Sequence, residues 1–170
     1  CLAECPRGAI NFMDQLKASG SVEPAAEPIP STRESFIPNI TAFCCNRSAA
    51  GAAQLAVCMG EKLPPGFQIV EMPCGGSVSL SHILSAFKNN ADGIMILTCH
   101  EGNCHSEVGP RYAQQRVEQI LAHFRSIGLE DGRIVKKTLA SNMGVEFAKT
   151  LVEFEKQLLD MGPIRLKSGK

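Results

Sequence analysis

Ile94-Met95-Ile96-Leu97-Thr98-Cys99-His100-Glu101-Gly102-Asn103-Cys104-His105 is the stretch from which the fold can be read. Its first four residues are uniformly apolar, the pattern of a strand buried on both faces, as in a parallel sheet. Gly102 and Asn103 then mark a turn. That turn carries two cysteines, each followed by a histidine. Two thiols at the end of a buried strand point to a metal centre, a redox pair or two packing cysteines.

Working outward, Ile40–Cys45, Phe67–Met72 and Arg133–Leu139 read as further strands, with Gly93–Thr98 as the third in order. Helical patterns lie between them. Ala49–Met59 is rich in alanine, with Ser48 or Asn46 as its cap. Ser79–Asn89 places Ile83, Leu84 and Phe87 on one face, and Pro110–Gly128 does the same with Val117, Ile120, Leu121 and Phe124. Gly144–Met161 has Val145, Ala148, Val152 and Leu159 facing inward. Strands alternating with helices imply parallel βαβ units with right-handed crossovers. The expected fold is α/β: a four-stranded parallel doubly wound sheet, flavodoxin-like, in the order 2-1-3-4.

This domain is expected to span 37–162. Before it, Cys1-Leu2-Ala3-Glu4-Cys5-Pro6 has the C-x3-C-P spacing that closes a bacterial ferredoxin motif. Residues 1–19 are therefore read as the remnant of such a motif. Residues 20–36, with Pro24, Pro28 and Pro30, read as a linker, and 163–170 as a basic tail.

With 170 residues the chain has room to bury a core. Its 17 basic and 17 acidic residues balance and form no basic stripe, which argues against a nucleic-acid partner. No apolar run reaches the roughly 20 residues of a membrane span, so direct membrane insertion is not expected. Cys1 is preceded by no charged and apolar leader, so no signal peptide is expected. A cytoplasmic location follows, with a peripheral seat on a membrane complex left open. The eight cysteines are then read as reduced thiols or metal ligands rather than structural disulfides.

The cysteines fall in a pattern. The first strand ends at Cys44-Cys45, the second leads to Cys74, the third to Cys99, and Cys104 follows in the next turn. In a parallel sheet all these carboxyl ends share one edge, where open α/β folds bind ligands. Four sulfurs can hold tetrahedral zinc or a 2Fe–2S cluster with two thiolates on each iron. Paired C-x2-C knuckles are absent, and ligands drawn from three strand ends suit a bridged centre better. The plant-type ferredoxin spacing also fails, because its third cysteine would fall at Glu107. No C-x5-R phosphatase loop follows the first strand, and a C-x-x-C redox motif is missing.

Three pieces together resemble the delta subunit family of methyl-viologen-reducing hydrogenase. They are Phe43-Cys44-Cys45-Asn46 with Ser48, Met72-Pro73-Cys74-Gly75-Gly76, and Ala91-Asp92-Gly93 running on to Cys99-His100-Glu101-Gly102-Asn103-Cys104-His105. The resemblance implies an electron-transfer domain holding a 2Fe–2S cluster on Cys45, Cys74, Cys99 and Cys104. Members often have a cysteine where this chain has Ser48. Serine there resembles the versions fused to a larger flavin and iron–sulfur protein, similar to the flavin-containing subunit of heterodisulfide reductase. One such fusion occurs in the quinone-interacting membrane-bound oxidoreductase. The chain is thus expected to be the carboxyl-terminal part of a fusion of this kind. FAD, and a 4Fe–4S cluster using Cys1 and Cys5, would belong to the parent. Expected partners are other subunits of a heterodisulfide reductase-like, hydrogenase or quinone-linked complex, with no bond-making chemistry in this domain. The other readings are a zinc-binding structural or interaction module and a thiol–disulfide switch at Cys99 and Cys104.

Cys44 and Cys45 point to opposite faces of their strand. Cys45 is preferred as the ligand, with Cys44 a buried hydrophobe. Cys58 is read as packing. His100 and His105 are read as neighbours donating to cluster sulfurs or shaping the turn, and His82 and His123 as solvated. Arg47, Arg111 and Arg116 fit a docking face or an ordinary surface. Gly75, Gly76 and Gly102 allow close backbone approach to a cofactor, or simply turns.

Overall fold

The computed structural model describes residues 36–164; the ferredoxin-like remnant, most of the linker and most of the basic tail lie outside them. Four strands, β1 (Ile40–Cys45), β2 (Phe67–Met72), β3 (Gly93–Thr98) and β4 (Ile134–Thr138), form one parallel sheet in the order β2-β1-β3-β4. The helices are α1 (Ala49–Cys58), α2 (Leu80–Lys88), α3 (Gly109–Ser126) and α4 (Gly144–Met161). This is the doubly wound α/β arrangement expected from the strand and helix pattern. Among the described residues no helix is long and apolar enough to cross a membrane.

The two central strands, β1 and β3, are buried along their whole length. Their alternation sorts side chains between two helical layers. Ile40, Ala42, Cys44, Met95 and Leu97 pack with α1 and α4. Phe43, Ile94 and Ile96 pack with α2 and α3. The alanines of α1 explain why it seats so closely: a Cβ on Gly144 of α4 would stand 2.8 Å from the Ala56 backbone nitrogen. Gly93 is similarly constrained, because a Cβ there would meet Leu158 at 2.5 Å.

Some helix faces differ from the expected ones. The buried stripe of α4 is Phe147, Ala148, Leu151, Phe154 and Leu158, while Val152 and Leu159 are 45% and 43% exposed. Each exposed residue follows a buried one, and one step rotates a helical position by about 100°. Leu84 of α2 is likewise exposed, while Ile83 is buried as expected and Ala86 joins it. The fourth strand starts one residue later than expected, because Asp131–Arg133 form a 3-10 turn.

Arg133 is the largest fully buried side chain. Its Nε donates to Glu130 Oε2 at 2.6 Å, one terminal nitrogen to the Asp92 carbonyl at 3.2 Å, and the other to the Gly162 carbonyl at 2.9 Å. One guanidinium thus joins the start of β3, the turn before β4 and the end of α4. A planar fork of donors does this where a lysine cannot. Replacing Arg133 with Ala removes the donor to the Asp92 and Gly162 carbonyls and empties a fully buried side-chain site. The expected loss is about 3 kcal/mol in urea unfolding, with no rescue by Arg133→Lys; a variant within about 1 kcal/mol of the parent would refute the clamp.

Candidate functional site

The parallel pairing brings the carboxyl ends of β2, β1 and β3 to one edge, with Cys45 beside Met72 and Cys44 beside both Glu71 and Leu97. The period of two separates the adjacent cysteines. Cys44 is completely buried among the alanines of α1. Burial first, then the nearby Glu71 and Cys45, push its thiol up to about 12, so it stays protonated. Cys45 is on the other side of the strand, and its Sγ lies 3.5 Å from Cys99 Sγ. The structure therefore brings Cys45, not Cys44, to the sulfur at the end of β3.

The Cys45–Cys99 pair is buried, at 2% and 6% exposure. Burial alone raises the Cys45 thiol. The Arg47 backbone N–H, the Cys99 thiol, the Ser48 hydroxyl and the Gly75 backbone N–H outweigh it and hold Cys45 below its ordinary value. Cys99 moves the other way, to about 11. Burial leads, the Ser48 hydroxyl opposes it, and Cys45 and Cys104 add to it. Of the two, Cys45 is the thiol that ionises more readily and Cys99 the one that holds its proton more tightly.

Cys74 and Cys104 form the second group. Both are half-buried, and both stand against Gly109 at the start of α3. A Cβ on Gly109 would lie 2.6 Å from Cys74 Sγ and 3.0 Å from Cys104 Sγ. The Cys74 loop is built to come this close. Ser77 caps the Cys74 carbonyl with its N–H at 2.9 Å and its hydroxyl at 2.6 Å. A Cβ on Gly76 would stand 2.8 Å from the Gly109 carbonyl oxygen, and one on Gly75 would stand 2.5 Å from Thr98. Arg116 donates to the Gly76 and Val78 carbonyls, the latter at 3.2 Å. It therefore holds this loop to α3, although its sequence position could only mark it as a surface or docking residue. Gly102 has φ +81° with nothing within 4 Å of an added Cβ, so it serves the turn and not a close approach.

His100 and His105 are exposed, and among the described residues neither donates to a cysteine sulfur. The side chain that does is Ser48, whose hydroxyl donates to Cys99 Sγ at 3.3 Å. Ser48 stands at the N-cap of α1 but makes no side-chain cap bond, contrary to its expected capping role. His82 is exposed but not free: its Nδ1 accepts the Ser79 N–H at 3.1 Å, and its ring meets Phe43 edge-on. His123, Arg47 and Arg111 are exposed. Cys58 is also exposed, which corrects the packing reading; it sits at the last position of α1, where the helix has turned it away from the sheet. All six described cysteines are free thiols.

Among the described residues no three His, Cys, Asp or Glu side chains are arranged to hold a single metal ion. The donors fall instead into two sulfur groups, Cys45 with Cys99 and Cys74 with Cys104. The sequence profile of the methyl-viologen-reducing hydrogenase delta subunit matches residues 40–162 of this chain, which carry both groups. The chain belongs to that family. As a member of the delta family it is 33% identical over 136 residues to the vhc iron–sulfur subunit of the F420-non-reducing hydrogenase of Methanococcus voltae, covering 80% of this chain and 94% of that one. It is 30% identical to the iron–sulfur subunit of the F420-non-reducing hydrogenase of Archaeoglobus profundus, over 79% of this chain and 98% of that protein. A 29% identical match to one subunit of the ferredoxin/F420H2-dependent CoB-CoM heterodisulfide reductase of Methanosarcina acetivorans covers 79% of this chain but 17% of that larger protein. The same domain thus occurs both as a separate hydrogenase subunit and as a stretch of a heterodisulfide reductase polypeptide.

Burial orders the thiols of this delta-family domain by access. Limited alkylation of the reduced, metal-free protein, mapped by mass spectrometry, is expected to label Cys58 first, then Cys74 and Cys104, and last Cys44, Cys45 and Cys99. Early labelling of Cys44 would contradict the seating of α1 on the sheet.

Proposed function

We propose that Cys45, Cys74, Cys99 and Cys104 hold a 2Fe–2S cluster and that the domain relays electrons between redox subunits of a hydrogenase- or heterodisulfide reductase-type complex. The observation that carries this reading is the grouping of the four sulfurs. A bridged dinuclear centre takes two thiolates on each iron, and the sulfurs stand as Cys45 with Cys99 and Cys74 with Cys104. A structural zinc site instead needs its ligands gathered around one point. The names of the hydrogenase relatives, which call them iron–sulfur subunits, agree with this.

Bound there, such a cluster supplies one-electron transfer. The protein's own residues supply the rest. The backbone N–H groups of Arg47 and Gly75 point to the Cys45 sulfur and stabilise its thiolate. The bare Cα of Gly109 leaves room for the Cys74 and Cys104 sulfurs, a cradle that a methyl group would fill. The inner sulfurs are sealed from water and the outer two are half-exposed, so electron exchange with a partner is shortest through the Cys74 and Cys104 side. Hydrogenase or heterodisulfide reductase subunits are the partners this reading implies, with the domain itself performing no substrate chemistry.

Anaerobic preparation with iron and sulfide is expected to yield about two irons and two sulfides per chain and a paramagnetic signal on reduction. Bound zinc without sulfide, with chelation unfolding the chain, would overturn the proposal in favour of a structural zinc module. Gly109→Ala is expected to remain folded by circular dichroism yet lose its cluster to a chelator about 10-fold or more faster.

A further inference from the structure

We propose that the Ser48 hydroxyl is a tuning group for the centre, a hydrogen-bond donor that raises its reduction potential by stabilising charge on the inner sulfur pair. The inference rests on the cluster assignment above and concerns a residue outside the ligand set.

Ser48 occupies the N-cap of α1, where a serine side chain ordinarily accepts from the N–H groups of the first turn. Here it makes no such bond. The start of the helix is shaped by backbone instead, with the Ser48 N–H bonded to the Cys45 carbonyl at 3.1 Å and the Ala52 N–H to the Ser48 carbonyl at 3.1 Å. The hydroxyl donates to Cys99 Sγ at 3.3 Å, and that sulfur lies 3.5 Å from Cys45 Sγ. Its proton is therefore aimed into the inner sulfur pair. Ser48 is also 5% exposed, as buried as the sulfurs it serves. Water has little access to take the place of its proton, and a hydrogen bond to a charged group counts for more away from water. Neither histidine of the Cys99–Cys104 turn shares this task.

The electrostatic sign is fixed. One electron taken from a partner redox centre adds one negative charge to the centre, and no proton need move. A donor aimed at a ligating sulfur stabilises the reduced form more than the oxidised form. Hydrogen bonds to the sulfurs are among the factors that set iron–sulfur potentials. Because the hydroxyl carries no capping duty, its removal should change the potential and leave the fold intact.

The test uses the full 170-residue chain, reconstituted anaerobically with iron and sulfide, as wild type, Ser48→Ala and Ser48→Thr. The readouts are iron and sulfide content, thermal melting of the metal-free chain, and a redox titration followed by visible absorption. Ser48→Ala is expected to melt with the wild type and bind the same iron. At a fixed poise its reduced-to-oxidised ratio should fall about tenfold, a lowering of about 59 mV for a one-electron couple. Ser48→Thr, which keeps the hydroxyl, should titrate close to the wild type. An unchanged midpoint in Ser48→Ala overturns the proposal, as does a threonine variant that behaves like alanine. An alanine variant that melts well below the wild type or assembles no cluster also overturns it, because the hydroxyl would then be structural. A wild-type chain that takes up no iron and sulfide overturns the cluster assignment itself.

Discussion

Parallel pairing of β1 between β2 and β3 is the constraint on which everything else in this domain depends. Parallel strands require a crossover helix for each connection, so the chain must lay helices on both faces of the sheet. All carboxyl ends then fall on one edge. A cysteine at or just after the end of each of three adjacent strands reaches that edge without any special device. Two of the four sulfurs, those of Cys45 and Cys99, meet directly across β1 and β3. The other two need help, and that help comes from the Cys74 loop and from the start of α3.

That help consists of missing side chains and spare hydrogen bonds. Gly75, Gly76 and Gly109 each sit where a Cβ would strike a neighbour. Ser77 and Arg116 tie up the carbonyls of the Cys74 loop. The half-buried sulfurs are thus held by backbone approach, while the inner pair is held by strand register. Two kinds of support at one rim explain why the inner pair is dry and the outer pair faces solvent. Under the proposed relay, a sealed inner side and an accessible outer side are a serviceable division.

The far end of the sheet is organised by a different means. Arg133 gathers the start of β3, the turn before β4 and the end of α4 with one guanidinium. The protein places this fully buried charge at the opposite end of β3 from the cysteines, where the field of a cationic group is far from the sulfurs.

Strand and helix order, the parallel topology and the grouping of cysteines at strand ends were all legible in the chain alone. These depend on local periodicity and on topological rules with few exceptions. The motif pieces around Cys45, Cys74 and Cys99–Cys104 also sufficed to indicate the hydrogenase delta family, which the profile match over 40–162 bears out. Other features were decided only by the tertiary structure. Periodicity says that Cys44 and Cys45 face opposite ways, but which way depends on which helical layer each face of β1 meets. The exposure of Cys58, Val152 and Leu159 turns on rotations of about 100° that an apolar pattern does not resolve. Ser48 looks like a helix cap in any sequence reading, because its use is set by a sulfur 51 residues away along the chain. Gly109 and Arg133 were invisible for the same reason. A close approach or a buried hydrogen bond belongs to two distant segments at once, and neither segment records it alone.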